Sequence, residues 1–88
     1  MRSLIVFAFF ASFSSAAIAD ANCPAYPKSE WMKEEDVKAK LVEQGYTIKK
    51  FKVEGNCYEI YGRNKKGQKV EIYFDAKTMA IVKSEIED

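Results

Sequence analysis

Histidine is absent from this 88-residue chain, and with it goes the commonest general base and metal ligand available near neutral pH. An excess of charge of either sign is missing too. Fourteen basic residues stand against thirteen acidic ones, and removal of Arg2 would balance them. Such neutrality excludes a general polyanion binder, which needs a net basic face. Cysteine is limited to Cys23 and Cys57, a pair whose spacing fits no zinc site, and the acidic pattern around Asp75 is too sparse for a carboxylate metal loop. Ser29 and Ser84 have no evident base beside them, and the adjacent carboxylates Glu34 and Glu35 do not face each other on a helix. There are no repeats and no low-complexity tracts. An enzyme is not expected, nor is a cofactor or a metal.

What the chain does have begins at its first residues. Arg2 gives a positive start, 4–13 is mostly apolar, and Ser14-Ser15-Ala16-Ala17-Ile18-Ala19 ends in an Ala-x-Ala pattern. This reads as a secretory signal peptide over 1–19, cleaved near Ala19, with an apolar run too short for a stop-transfer helix. The expected location is therefore periplasmic or secreted. In an oxidising compartment Cys23 and Cys57 are expected to bridge, which is worth roughly 3–4 kcal/mol by chain entropy. That is a large share of the stability of so small a domain. The residues before Cys23, Asp20-Ala21-Asn22, lack the small apolar pattern of a lipid-modified cysteine. A soluble protein without stable membrane insertion is expected.

The remainder divides into an arm and one domain, 20–30 and 31–88. Two prolines in Cys23-Pro24-Ala25-Tyr26-Pro27 exclude regular helix and make the arm extended. A helix is predicted to start near 31–33, with Glu34, Glu35 and Asp36 meeting the positive end of its dipole. Val37, Leu41 and Gln44 share one face, Trp31 and Val42 lie near its edge, and Gly45 stops it. Strands are predicted over 46–54, 57–64 and 68–75 from alternation and β-branched and aromatic content. Gly55-Asn56 suits a two-residue hairpin loop, and Lys65-Lys66-Gly67 a three-residue loop with Gly67 left-handed.

These loops set a register. Val53 falls opposite Tyr58 and then Phe74, Phe51 opposite Ile60 and Ile72, and Gly62 opposite Val70, which gives one apolar face under the helix. Ile48 is out of phase, so a bulge is expected near Lys49-Lys50. The second face carries Lys52, Glu59 and Tyr73 in one row, and Lys50, Tyr61 and Glu71 in the next, with Cys57 beyond them. A turn at 76–78 is expected to lead into a short edge strand over 79–83, with 84–88 frayed.

Trp31, the acidic turn Glu34-Glu35-Asp36, Leu41, Gln44-Gly45-Tyr46, the block Gly55-Asn56-Cys57-Tyr58-Glu59-Ile60-Tyr61, Gly67 and the stretch 70–75 together resemble the PepSY domain, in its small exported single-domain branch. The chain departs from that pattern after Asp75, where Ala76 and Thr78-Met79 stand in places that often hold Pro and Thr-Gly. The resemblance implies an α+β fold, one helix packed on a three- to four-stranded antiparallel meander sheet, similar to half of a cystatin-like fold. It also implies a module that binds or restrains peptidases, or senses and regulates outside the cytoplasm.

Two surfaces are candidates for contact. Tyr61, Tyr73, Lys50 and Lys52 make a protein-contact patch on the second face, since tyrosine serves interfaces well; the competing expectation is that the tethered arm, with Tyr26, covers these tyrosines. Arg63, Lys65, Lys66 and Lys69 crowd the second hairpin and make a candidate anion site for acidic glycans or lipid headgroups. Nucleic acid is not expected as a partner, because Glu59 beside Lys52 and Glu71 near Lys50 match charge across strands. An open strand edge offers a third route, by addition of an extended peptide. The function expected is an exported, non-catalytic binding or regulatory module, a peptidase inhibitor or modulator of an envelope protein; the alternative is the anion binder.

Overall fold

The computed structural model describes residues 21–87, so the signal-peptide reading of 1–19 lies outside the described residues, as do Asp20 and Asp88. An extended arm and one 3-10 turn at Lys28–Glu30 lead into α1 (Glu34–Glu43), followed by β1 (Thr47–Glu54), β2 (Cys57–Arg63), β3 (Lys69–Asp75) and β4 (Ile81–Glu87). The strands form one sheet in the order β1-β2-β3-β4 with every neighbouring pair antiparallel. This is the α+β meander expected, with four strands.

Helix α1 takes its ends from local chemistry. Lys33 precedes it in extended conformation without a side-chain cap, and Glu34, Glu35 and Asp36 occupy the first turn, where negative charge is favoured. At the other end the Tyr46 amide donates to the Leu41 carbonyl and the Gly45 amide to that of Val42, both at 3.0 Å. Gly45 has φ 101, and this paired closure with a left-handed glycine is the Schellman motif. The helix buries Val37 and Leu41 completely against a core of Tyr58, Ile60, Val70, Ile72 and Phe74. Gln44 and Val42, expected on or beside that face, are exposed, because the helix closes at Gln44 and a helix on one side of a sheet buries only its central stripe. Trp31 seals the core from outside α1: its ring meets Tyr58 edge-on at 5.3 Å, and the Tyr58 hydroxyl donates to the Met32 carbonyl at 2.7 Å.

The register matches the one set by the loops. Phe51 pairs with Ile60 and Ile60 with Ile72; Val53 pairs with Tyr58 and Tyr58 with Phe74; Gly62 pairs with Val70. The pairing shifts between Ile48 and Lys50, which places the expected bulge at Lys49. Beside it, a Cβ on Gly62 would run into the Thr47 carbonyl, so only glycine lets the bulged strand come this close. At the Gly55-Asn56 loop, Glu54 pairs with Cys57.

Two expectations need correction. Val53 lies on the helix side but is 46% exposed, whereas Ile60 and Ile72 are 0% and 2%. β1 is an edge strand, so Val53 has a strand on one side only. The last strand also starts later and runs further than 79–83. Residues expected to fray are paired: Ser84 with Ile72, Glu85 with Glu71, Ile86 with Val70, Glu87 with Lys69. The cause is the preceding turn. Asp75 Oδ1 accepts from the Lys77 and Thr78 amides at 2.8 and 3.0 Å, and Met79, standing where the PepSY pattern often has glycine, takes a left-handed φ of 69. The strand can begin only after that turn is complete.

Candidate functional site

Side chains at alternate positions of β2 and β3 point away from the helix, and pairing arranges them in rows. Lys52, Glu59, Tyr73 and Lys83 form one row; Lys50, Tyr61, Glu71 and Glu85 the next; Thr47, Arg63, Lys69 and Glu87 a third. At the near end Cys57 lies opposite Asp75, and there the arm is fastened. Cys23 and Cys57 are disulfide-bonded with their Cα atoms 5.4 Å apart, as expected. Tyr26 donates its hydroxyl to Asp75 Oδ2 at 3.5 Å, and the Trp31 indole donates to the Tyr26 carbonyl at 3.0 Å. Lys77 lies 4.9 Å from the Tyr26 ring and pairs with Glu30 at 3.0 Å. Tyr26 is thus engaged at the Cys57–Asp75 end, away from Tyr61. Asp75 is buried, which alone would raise its pKa, but the Thr78 and Lys77 amides, the Thr78 hydroxyl and Tyr26 outweigh this and hold it below the usual aspartate range.

The two central rows make a block in which Glu59 is opposite Tyr73 and Tyr61 opposite Glu71, so the carboxyl groups meet on a diagonal. Glu59 is 1% exposed. Burial, reinforced by the hydrogen bond with Glu71, holds its pKa above the usual carboxylate range, while Glu71 is held below it, first by that same bond. Two carboxylates cannot bond to each other unless one carries a proton. The pair shares one proton, which the deeper burial of Glu59 favours on that side, while Glu71 accepts from the Tyr73 hydroxyl at 3.1 Å. Glu59 Oε2 has no hydrogen-bond partner. Both phenols are pushed above their ordinary range, Tyr61 first by its bond to Glu59 and Tyr73 first by burial.

The lysines of this face behave differently from the expected charge matching. Lys52 lies across from Glu59 in register, yet the ion pairs among the described residues are Lys38–Glu34, Lys77–Glu30 and Lys83–Glu85. The Lys50 and Lys52 ammonium groups instead sit 5.6 and 5.9 Å from the Tyr61 ring. The ring face gives them a cation–π contact there. Tyr73 is 8% exposed, so of the four proposed contact residues it lies beneath the surface, while Lys50 and Lys52 are exposed and Tyr61 is half-buried.

The four basic candidates do not converge. Arg63 donates from Nη1 to the Gly67 carbonyl at 2.8 Å, and Lys69 lies in register between Arg63 and Glu87. Lys65 and Lys66 sit at the exposed loop tip, the stem of Lys65 against Gly45. The tip is knit by Asn64, whose Oδ1 accepts from the Lys66 and Gln68 amides at 3.0 Å. A groove beside the bulge nevertheless joins members of both sets, lined by Ile48, Tyr61, Arg63, Lys69 and Glu71. Among the described residues no three metal-ligating side chains gather, and no helix is long and apolar enough to cross a membrane.

The Glu59–Glu71 pair was missed from sequence because charges were matched straight across the strands. The signal that could have found it is the diagonal between paired Glu-Tyr and Tyr-Glu positions on β2 and β3. No curated protein and no solved structure matches the chain. The meander with its single helix, the bulge and the disulfide-tied arm are, however, those of a chain whose residues 3–85 match the family described as peptidase propeptide and YPEB domain, and the protein belongs to that PepSY family.

Proposed function

We propose that this PepSY domain is an exported, non-catalytic regulatory module that restrains a peptidase or modulates another envelope protein, engaging it through Tyr61, Lys50 and Lys52. The family supports the peptidase association, and the disulfide together with the leader pattern supports export. The carrying observation is the state of Tyr61. Its ring is partly exposed, its hydroxyl is bonded to a carboxyl pair, and two lysine ammonium groups stand at its face. A rigid aromatic side chain rimmed by charge loses little entropy on binding and suits an interface anchor. Tyr73 acts from below, holding Glu71. The partner surface that fits is apolar at its centre with acidic groups at its rim.

The test is titration of the purified protein against peptidases secreted by the producing cell, with activity and binding both read. Tyr61→Ala is expected to weaken binding about tenfold or more, as removal of an interface anchor does. Lys50→Ala and Lys52→Ala are expected to slow association and reduce its salt dependence. Binding unchanged in all three variants, or no peptidase bound or inhibited, would reject the reading. The anion-binding alternative has less support, since Arg63 is engaged with its own loop and the tip lysines line a different groove from Arg63 and Lys69.

A further inference from the structure

β4 is the outermost strand on its side of the sheet, and it carries three exposed β-branched apolar residues, Ile81, Val82 and Ile86, at 54%, 38% and 57%. The opposite edge is blunted: β1 carries the bulge at Lys49 and the lysines Lys49, Lys50 and Lys52 along its length, devices that keep an edge from pairing. β4 has one lysine. Its own irregularity falls at Val82, near its start, and leaves Lys83 to Glu87 in unbroken register with β3.

The order of residues in β4 then selects an occupant. We propose that β4 pairs edge to edge with the β4 of a second copy of this chain, about a two-fold axis at Ser84, to make one continuous antiparallel sheet. When two identical antiparallel strands lie in one sheet, their two-fold axis is perpendicular to it and one residue faces its own copy. With Ser84 at the axis, Lys83 lies across from the second copy's Glu85 and Glu85 across from its Lys83, both within the stretch of β4 that keeps unbroken register with β3. Centring on Lys83 would set lysine against lysine, and centring on Glu85 would set glutamate against glutamate; like charges directly opposite are destabilising. Of the three, the Ser84 register alone sets no like charges against each other, and it matches Lys83 with Glu85 twice.

The charges are already on the required side. Lys83 and Glu85 pair within the chain at 3.3 Å on the face away from the helix, so two copies would form an alternating cluster of four charges. On the helix side, Ile86 lies next to Val70 in register and would gain cover from the joined strand of the second copy. Both helices then lie on one face of the joined sheet. This interface leaves Tyr61, Lys50 and Lys52 unobstructed and is independent of the peptidase reading.

Sedimentation equilibrium of the purified protein tests it, with no peptidase present. A reversible dimer is expected. Lys83→Glu alone and Glu85→Lys alone should each weaken it roughly tenfold, because every mismatched pair occurs twice by symmetry, and the two substitutions combined should restore it. As a second measurement, Ser84→Cys should give a covalent dimer under mild oxidation, since residues directly opposite across antiparallel strands lie within disulfide reach. A monomer at every concentration, a dimer indifferent to both single reversals, or a Ser84→Cys protein that does not cross-link would each overturn the proposal. So would a β4 that takes an extended peptide of another protein while never pairing with itself.

Discussion

Glu59 is an ionisable side chain sealed on the face that carries the candidate site, and its protonation couples that face to pH. Burial and Glu71 hold its pKa above the unfolded value, so the stability it contributes is fully present below the unfolded pKa and is lost as pH rises through the folded one. Glu71 runs the other way. Its folded pKa is depressed, so its contribution is present above the unfolded pKa and disappears as pH falls through the folded value. The pair is strongest between the two, holding one proton. Glu59→Gln keeps a donor toward Glu71 and removes the titration. Thermal melts at increasing pH should therefore show the variant gaining on the wild type as pH rises through the folded pKa of Glu59, with a flatter pH profile there. A variant whose stability falls with rising pH as steeply as the wild type's would contradict the assignment of the proton. The sequence showed that Glu59 and Lys52 share a face and a row. It could not show that Glu59 would be buried, because burial depends on how the side chains of neighbouring strands close over it.

At the scale of elements, the bulge and Gly62 depend on each other. The extra residue at Lys49 brings the Thr47 carbonyl over Gly62, leaving no room for a Cβ. Gly62→Ala must push β1 away from β2 or slide the bulge, and either change disturbs the pairing of Ile48 beside Gly62. Overpacking of this kind costs about 1–3 kcal/mol, to be measured as a lowered midpoint in urea with an unchanged slope. Unchanged stability would mean the bulge is loose enough to move freely. The bulge was legible because Ile48 breaks the alternation set by Phe51 and Val53. The register of β1 to β3 was legible for a similar reason: Gly55-Asn56 and Lys65-Lys66-Gly67 each fix a loop length, and a wrong length would turn an apolar set outward. β4 lacked such a marker. Its start is set by hydrogen bonds from the Asp75 side chain and by a left-handed Met79, a conformation that a methionine does not advertise.

Over the whole molecule, the chain wraps the end of its own sheet. Tyr26 reaches Asp75 on the face away from the helix, and five residues later Trp31 lies against Tyr58 on the helix face. The Cys23–Cys57 bond anchors this wrap at its outer end, so the disulfide holds both the arm and the tryptophan that closes a core to which the helix gives only Val37 and Leu41. A domain of this length is stabilised by only several kcal/mol, and opening a loop of this span removes about 3–4 kcal/mol of it. The bridge was foreseeable from two cysteines behind a leader pattern; its hold on Trp31 was not, because that runs through a backbone carbonyl of the arm. Trp31 is the single tryptophan of the chain, which makes the consequence readable. The Cys23→Ala/Cys57→Ala protein should show a large drop in melting temperature, and its tryptophan emission should shift to the red at temperatures where the β-sheet signal persists. Cys57 is 1% exposed and Cys23 half-buried, so reductant should attack the native protein at Cys23, and cleavage should accelerate in mild denaturant as the arm opens. Loss of sheet and tryptophan signals together, with no intermediate stage, would mean that the arm and sheet form one cooperative unit and that the disulfide stabilises the whole domain directly.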